Sequence, residues 1–294
     1  GRYYSFEWGN VHFVSLDSNL LAAAPAGGRM LNWLDRDLAR QNRFWKVAYF
    51  HHPPYPSGHH KDDSLTAAVR EQVLPILERH GVQLVLSGHE HSYQRSFALR
   101  DGALASPATG TTYIISAGGG GGLHSIDASP WTAVQQSAHH YLRCEVRGAS
   151  LIVTAVGIEG DVLDSLTLEP APRIPDGGVV NAASFNPGLA PGSLISIFGM
   201  NLAAENRRAT AFPLPAELSG ASVTLGGLRL PLLFVSASQI NAQLPYTARG
   251  PGALRVGNGN AFTEVPVFVS EVAPALLSAA GDRDLLPALV RSHD

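Results

Sequence analysis

The sequence has one cysteine, two methionines and almost no net charge. Because Cys144 is alone, an intrachain disulfide framework and a cysteine-rich zinc site are excluded. The 21 basic and 24 acidic residues give a formal net charge of −3, which excludes the strongly basic surface typical of nucleic-acid binding. No apolar run reaches the roughly 20 residues needed to cross a bilayer, so we predict no membrane span.

The length and the composition indicate two globular domains. With 294 residues, 45% of them hydrophobic, the chain is long for a single core. Strand and helix patterns alternate in residues 1–170, which predicts a layered α/β (α+β) domain with a mixed sheet. The segment 171–177 is rich in proline and glycine and is a predicted linker. Short strands between turn signals in 178–294 predict an all-β sandwich.

Histidines follow two apolar runs of the buried-strand type. His51 and His52 come directly after 44–50, and Gly-His-Glu-His at 88–91 comes just after 82–86. Such strands end at one edge of an α/β sheet, where ligands bind, and neutral imidazole is a common ligand for zinc, iron and manganese. Either motif alone is weak evidence, since neighbouring histidines are common at surfaces. Their matching positions predict a metal site.

The geometry of 88–91 depends on the backbone beyond the strand. If the chain stays extended, His89 and His91 point the same way and Glu90 turns outward. Gly88 would then allow a close backbone approach or a positive φ.

Both motifs resemble those of a known family. Phe-His-His-Pro-Pro-Tyr at 50–55 and Gly-His-Glu-His at 88–91 resemble the last two of the five motifs of calcineurin-like metallophosphoesterases, and the purple acid phosphatase branch is the most similar. Further similar segments, in the expected order, are 4–6, 9–13, 16–18, 92–96, 118–122 and 161–165. The resemblance implies that residues 1–170 form the C-terminal part of such a domain.

The resemblance also implies a set of metal ligands. Two ions, drawn from Fe, Zn and Mn, would form a dinuclear centre, with His51 and His89 on one ion and His91 on the other. His51 is preferred to His52 because the family has a single histidine directly after the strand, although the register leaves both open.

The same family places a further histidine where it meets the substrate phosphate and protonates the leaving group. His60 or His59 matches that position, and the loop length leaves the choice open. The implied reaction is hydrolysis of a phosphate ester, either a monoester or a diester.

The first three family motifs, which supply aspartate and asparagine ligands, match nothing in the sequence. Three histidines carry no negative charge to offset two dications. We therefore expect the N-terminal half of the domain to be missing upstream of Gly1 as an essential partner, and a secretion signal to precede it. In this expectation the parent is an extracellular or periplasmic enzyme. We expect the chain by itself to bind metal weakly and to have little or no phosphatase activity.

The second domain resembles a C-terminal domain recurrent in secreted bacterial proteins of the Solibacter type. The similar segments are 179–185, 190–199 and 235–246. The resemblance implies an extracytoplasmic, immunoglobulin-like β-sandwich without an assigned activity.

Two alternatives to an enzyme stay open. One is a non-catalytic extracellular binding or adhesion protein on a degenerate phosphatase scaffold. The other is a structural site in which His51, His89 and His91 hold a single ion.

Overall fold

The computed structural model describes residues 1–23, 26–107 and 109–275, in two compact units that divide after Pro170. The first unit contains a seven-stranded mixed sheet and a three-stranded sheet. Its strands are β1 (Tyr4–Trp8), β2 (Val11–Ser15), β3 (Trp45–Phe50), β4 (Leu84–Ser87), β5 (Tyr93–Ser96), β6 (Leu99–Arg100), β7 (Ala103–Leu104), β8 (Thr112–Ser116), β9 (Thr132–Gln136), β10 (His140–Arg147), β11 (Ser150–Gly157) and β12 (Val162–Leu168). Its helices are α1 (Ala26–Ala39), α2 (Ser64–Ala68) and α3 (Leu74–Arg79), with a 3₁₀ turn at Ser18–Ala22 and a π turn at Val69–Val73.

The large sheet has the order β1-β2-β3-β4-β8-β5-β9. Strands β2, β3, β4 and β8 are mutually parallel, whereas β1, β5 and β9 are antiparallel to their neighbours. The predicted mixed sheet is thereby confirmed. Since the carboxyl ends of parallel strands lie at the same edge, the loops that follow these four strands are neighbours.

The helices cover one face of this sheet. Helix α1 presents Met30, Leu34 and Leu38 to the core, with at most 1% of each residue exposed. The π turn comes directly before Leu74 and Pro75. A proline lacks the N–H of the ladder and its ring clashes with the carbonyl four residues earlier, so a widened turn accommodates it.

The opposite face of the sheet is also apolar and is only partly covered. Together with β10 and β11 it encloses a cavity of about 400 Å³. The cavity is lined by Trp8, Gly9, Asn10, Val11, Phe13, Val47, Leu84, Leu86, Cys144, Val146 and Leu151. At its margin, Trp8 is 78% exposed.

A lysine is buried at the start of β3. Lys46 is 8% exposed, and its Nζ donates a hydrogen bond to the carbonyl oxygen of His80, 2.8 Å away. Burial lowers the pKa of Lys46 from 10.5 to about 8. The positive charge therefore occupies the C-terminal end of helix α3, where it meets the helix dipole favourably but loses hydration.

This burial predicts a dependence of stability on pH. Between about pH 8 and pH 10.5 the unfolded chain keeps the Lys46 proton that the folded chain releases, so the free energy of unfolding rises with pH. The difference between the two pKa values of Lys46 corresponds to about 3 kcal/mol in the free energy of unfolding. We expect the Lys46→Met variant to lack this rise, as measured by urea unfolding at pH 7.5 and pH 9.5. Parallel pH profiles of the two proteins would contradict the assignment.

The second unit consists of two antiparallel sheets. Its strands are β13 (Val179–Asn181), β14 (Leu194–Phe198), β15 (Arg207–Arg208), β16 (Glu217–Leu218), β17 (Ala221–Leu225), β18 (Leu228–Arg229), β19 (Leu232–Val235), β20 (Gln239–Gln243), β21 (Gly250–Asn258) and β22 (Ala261–Val269). One sheet has the order β13-β14-β20-β19-β15, and the other has the order β16-β17-β21-β22 with β18 beside β17.

A single core lies between these two sheets. Ile195 and Ile240 of the first sheet and Val223 and Val256 of the second belong to it, and all four are fully buried. Within the segment 171–177, Arg173 pairs with Met200 through both backbone N–H groups. Residues 276–294 of the predicted sandwich lie outside the described residues. In the part of the chain that the structure describes, no helix is long and apolar enough to cross a membrane.

Candidate metal centre

Four parallel strands end at one edge of the large sheet, and the loops that follow them contain the candidate site residues. Ser18 follows β2, His51 and His52 follow β3, and Gly88–His91 follows β4. The glycine run 118–122 follows β8. The strand order makes these loops successive neighbours, so histidines distant in sequence meet at this edge.

His51 and His89 face each other through one ring nitrogen each. His51 Nε2 lies 3.1 Å from His89 Nδ1. Two imidazole nitrogens that share a tetrahedral zinc ion, each about 2.0–2.1 Å from the metal, lie about 3.3 Å apart. Partial desolvation lowers the pKa of His51, and the neighbouring His89 lowers it further, which favours the neutral, ligand-competent imidazole.

His52 is held differently. It is 6% exposed, and its Nδ1 and its backbone nitrogen lie 2.8 Å and 3.2 Å from Ser18 Oγ. Burial lowers the pKa of His52 to about 4, and the nearby His89 contributes to the shift. A neutral, buried ring tied to a serine is suited to packing beneath the pair, so the geometry favours His51 as the ligand.

His89 has a left-handed backbone, with φ of +68°. The chain is therefore not extended through 88–91, so the condition under which His89 and His91 would point the same way is not met, and the positive φ belongs to His89, not to Gly88. The turn also reverses the expected direction of Glu90, which is fully buried instead of turned outward. Short backbone hydrogen bonds from Glu90 N to Gly88 O and from Ser92 N to Glu90 O stabilise the tight turn.

Glu90 connects the loops around the site. One carboxylate oxygen accepts a hydrogen bond from the backbone N–H of His60 at 2.9 Å, and the other lies 2.7 Å from His124 Nδ1. The His124 ring stacks on His91, with 4.5 Å between the centroids and 18° between the planes. His91 Nδ1 lies 2.8 Å from the carbonyl oxygen of Gly122. His91 thus has a different set of neighbours from His89.

The glycine run leaves room for His91. A Cβ atom at Gly121 would lie 2.6 Å from His91 Cε1, whereas one at Gly119 would meet nothing within 4 Å. We expect Gly121→Ala to displace the His91 ring and to shift its Cε1–Hε1 NMR resonance, while Gly119→Ala leaves that resonance unchanged. Equal shifts in the two variants would contradict the close approach.

His60 and His59 lie in the same cluster. The His60 ring is 3.8 Å from the His89 ring, and His60 Nδ1 lies 2.8 Å from Asp63 Oδ2. His59 is exposed, and its ring lies 5.5 Å from that of His124. The contact with His89 favours His60 as the residue nearer to the candidate ligands.

Sequence reasoning missed three residues of this group, namely Asp63, Glu90 and His124. Asp63 Oδ2 also lies 2.9 Å from His89 Nε2. Among the described residues, two groups have ligand atoms close enough to hold an ion: His51 with His52 and His89, and His60 with Asp63 and His89. The donors fit a divalent transition metal, because imidazole predominates and a carboxylate is at hand.

The mixed sheet is consistent with a metallophosphoesterase-like fold, and comparisons with known proteins agree with this class. Residues 3–93 match the family model described as Calcineurin-like phosphoesterase. Purple acid phosphatase 15 of Arabidopsis thaliana is 32% identical over 123 residues, which are 40% of this chain and 22% of the relative. Acid phosphatase A of Cryphonectria parasitica is 29% identical over 199 residues, which are 58% of this chain and 39% of the relative.

A solved structure is similar in fold. The purple acid phosphatase from yellow lupin (Lupinus luteus) seeds has a TM-score of 0.51 and 17% identity, covering 57% of this chain and 32% of that one. Residues 3–93 of the first unit are therefore similar to calcineurin-like phosphoesterases, and purple acid phosphatases are among the relatives. The chain spans 22% and 39% of the lengths of the two curated relatives described above.

Proposed function

We propose that the full-length protein hydrolyses phosphate esters at a dinuclear metal centre and that this chain supplies the histidine half of it. The facing nitrogens of His51 and His89 at the edge of the sheet carry the proposal. In it, His51 and His89 hold one ion and His91 holds the other. His91 contacts Gly122 and His124, whereas His89 contacts His51, and these different neighbours support two ions better than one.

Bound Fe, Zn or Mn ions would neutralise the phosphoryl group and activate the attacking water. The protein residues orient the substrate and handle a proton. Asp63 lies beside Nδ1 of His60, which leaves Nε2 of that ring to donate a proton to the leaving group. His59 at the exposed rim is the alternative donor.

A dinuclear centre needs more carboxylate than these loops provide. Among the described residues, Asp63 and Glu90 are the acids hydrogen-bonded to the histidines of this site, and Glu90 is fully buried. We propose that the other ligands come from the N-terminal half of the same domain as an essential partner. The partly open apolar face beside Phe13 and Val47 supports such a partner, because it offers a surface for a second layer.

The second unit supports a location outside the cytoplasm. Its two sheets around one core are consistent with an immunoglobulin-like sandwich in the segment 178–294, joined through the segment 171–177. We propose that it is an extracytoplasmic module on an extracellular or periplasmic enzyme.

The test is hydrolysis of para-nitrophenyl phosphate and of the corresponding diester, with Zn²⁺, Mn²⁺ or Fe²⁺ added. We expect the full-length protein to hydrolyse at least one ester and to lose at least 100-fold in kcat on His89→Ala. We expect residues 1–294 alone to show little or no turnover. No hydrolysis by the full-length protein with any of these ions would favour a non-catalytic binding role.

A further inference from the structure

Asp63 stands at the N-cap of helix α2, but its side chain does not cap the helix. Its backbone is extended, with φ of −66° and ψ of 137°, as an N-cap requires. An aspartate in this position ordinarily accepts a hydrogen bond from an N–H of the first turn. Instead, the single oxygen Oδ2 lies 2.8 Å from His60 Nδ1 and 2.9 Å from His89 Nε2. The carboxylate is turned toward the site, away from the helix.

His89 has a different neighbour at each ring nitrogen. Nε2 faces Asp63, and Nδ1 faces His51 Nε2 at 3.1 Å. A neutral imidazole carries one proton, and a carboxylate can only accept a hydrogen bond. The proton of neutral His89 is therefore favoured on Nε2, which leaves the lone pair of Nδ1 directed at the place where His51 also points.

The same carboxylate acts on His60. A proton on His60 Nδ1 is favoured by Asp63, and this leaves Nε2 as the nitrogen that exchanges protons with a substrate. The two rings lie 3.8 Å apart, so one acid reaches both without distortion of the loop.

We propose that Asp63 is a positioning residue that sets the tautomers of a metal ligand, His89, and of the candidate acid, His60. This inference rests on the proposed function in that it takes His89 Nδ1 as the ligand atom. A carboxylate beyond the ligand shell typically changes metal affinity by 10- to 100-fold.

Residues 61–65 include a matched control for the substitution of Asp63. Asp62 is the exposed neighbour of Asp63, so Asp62→Ala removes an acid from the same loop at the start of the same helix. We would measure the zinc dissociation constant of the 1–294 chain by competition with a chromophoric chelator. In parallel, ¹⁵N NMR of the metal-free chain reports the tautomers of His89 and His60.

We expect Asp63→Ala to weaken zinc binding by 10- to 100-fold and to reduce the Nε2–H population of His89, with helix α2 intact because no capping bond is lost. Asp63→Asn should lie between wild type and alanine, since the amide oxygen still accepts. Asp62→Ala should match wild type in both measurements.

The possible results separate this inference from the proposed function. Suppose that zinc binding depends on His51, but that Asp63→Ala changes neither the zinc affinity nor the tautomers. This result would overturn the role of Asp63 and would not affect the phosphoesterase proposal. The role of Asp63 would also be overturned if Asp63→Ala abolished zinc binding while His51→Ala left it intact. The ion would then lie on His60, Asp63 and His89 Nε2. Altered tautomers in Asp63→Ala would support the positioning role even if the full-length protein hydrolysed neither ester, a result that would contradict the proposed function alone.

Discussion

Zinc binding by the chain should fall by about 100-fold or more when His89 is replaced by alanine, and by a similar factor when His51 is replaced. Each variant removes one of two nitrogens that face each other at 3.1 Å. A direct ligand contributes more than the outer groups whose loss costs 10- to 100-fold in affinity. Isothermal titration with Zn²⁺ measures the effect.

The matched control is His80→Ala. His80 is at the end of helix α3, paired with Asp35 through Nε2 at 2.7 Å, and it belongs to neither of the two candidate ligand groups. We expect wild-type affinity from this variant. If His80→Ala lost as much zinc affinity as His89→Ala, the affinity would depend on the total number of histidines or on the stability of the fold. Retained binding in both His51→Ala and His89→Ala would remove the proposed pair from consideration.

The second large effect concerns the partly buried ion pair that joins β12 to β5. Asp164 accepts hydrogen bonds from Tyr93 Oη at 2.6 Å and from Arg95 Nε at 2.5 Å, and its side chain is 10% exposed. Asp164→Ala leaves the partly buried Arg95 charge and the buried Tyr93 hydroxyl without this acceptor. A buried donor that loses its acceptor typically costs about 1–3 kcal/mol, and a charged donor costs more. We expect a loss of this size in the free energy of unfolding, measured with urea.

Glu145→Ala on the same three-stranded sheet is the comparison. Glu145 pairs with Arg147 at 2.6 Å, but its side chain is 38% exposed. Exposed pairs contribute about 0–1 kcal/mol, so this variant should unfold almost like wild type. If the two variants lost equal stability, the pair between Asp164 and Arg95 would not fasten the small sheet to the large one.

The placement of the histidines at one edge was predictable from the sequence. The apolar run before His51 ends in two prolines after His52, which forbid further ladder pairing, and a similar apolar run precedes His89. Consecutive strands joined by a helix are parallel, so their ends lie side by side. The family resemblance was predictable from the same motifs, and the matching family model confirms it.

The details within the loops were not predictable from the sequence. The left-handed φ of His89 has no sequence signal, because a histidine rarely adopts it, and that one torsion buries Glu90. Asp63 directly precedes helix α2, and no sequence pattern indicates its contact with His89. His124 lies between strands, in a segment without periodicity, and only the three-dimensional fold brings it to His91.

The most direct measurement is an anomalous difference map from a zinc-loaded crystal of the chain, collected at the zinc absorption edge. We expect a peak about 2.0–2.1 Å from both His51 Nε2 and His89 Nδ1. A peak at His89 Nε2 beside Asp63, or the absence of any peak among these histidines, would contradict the proposed metal centre.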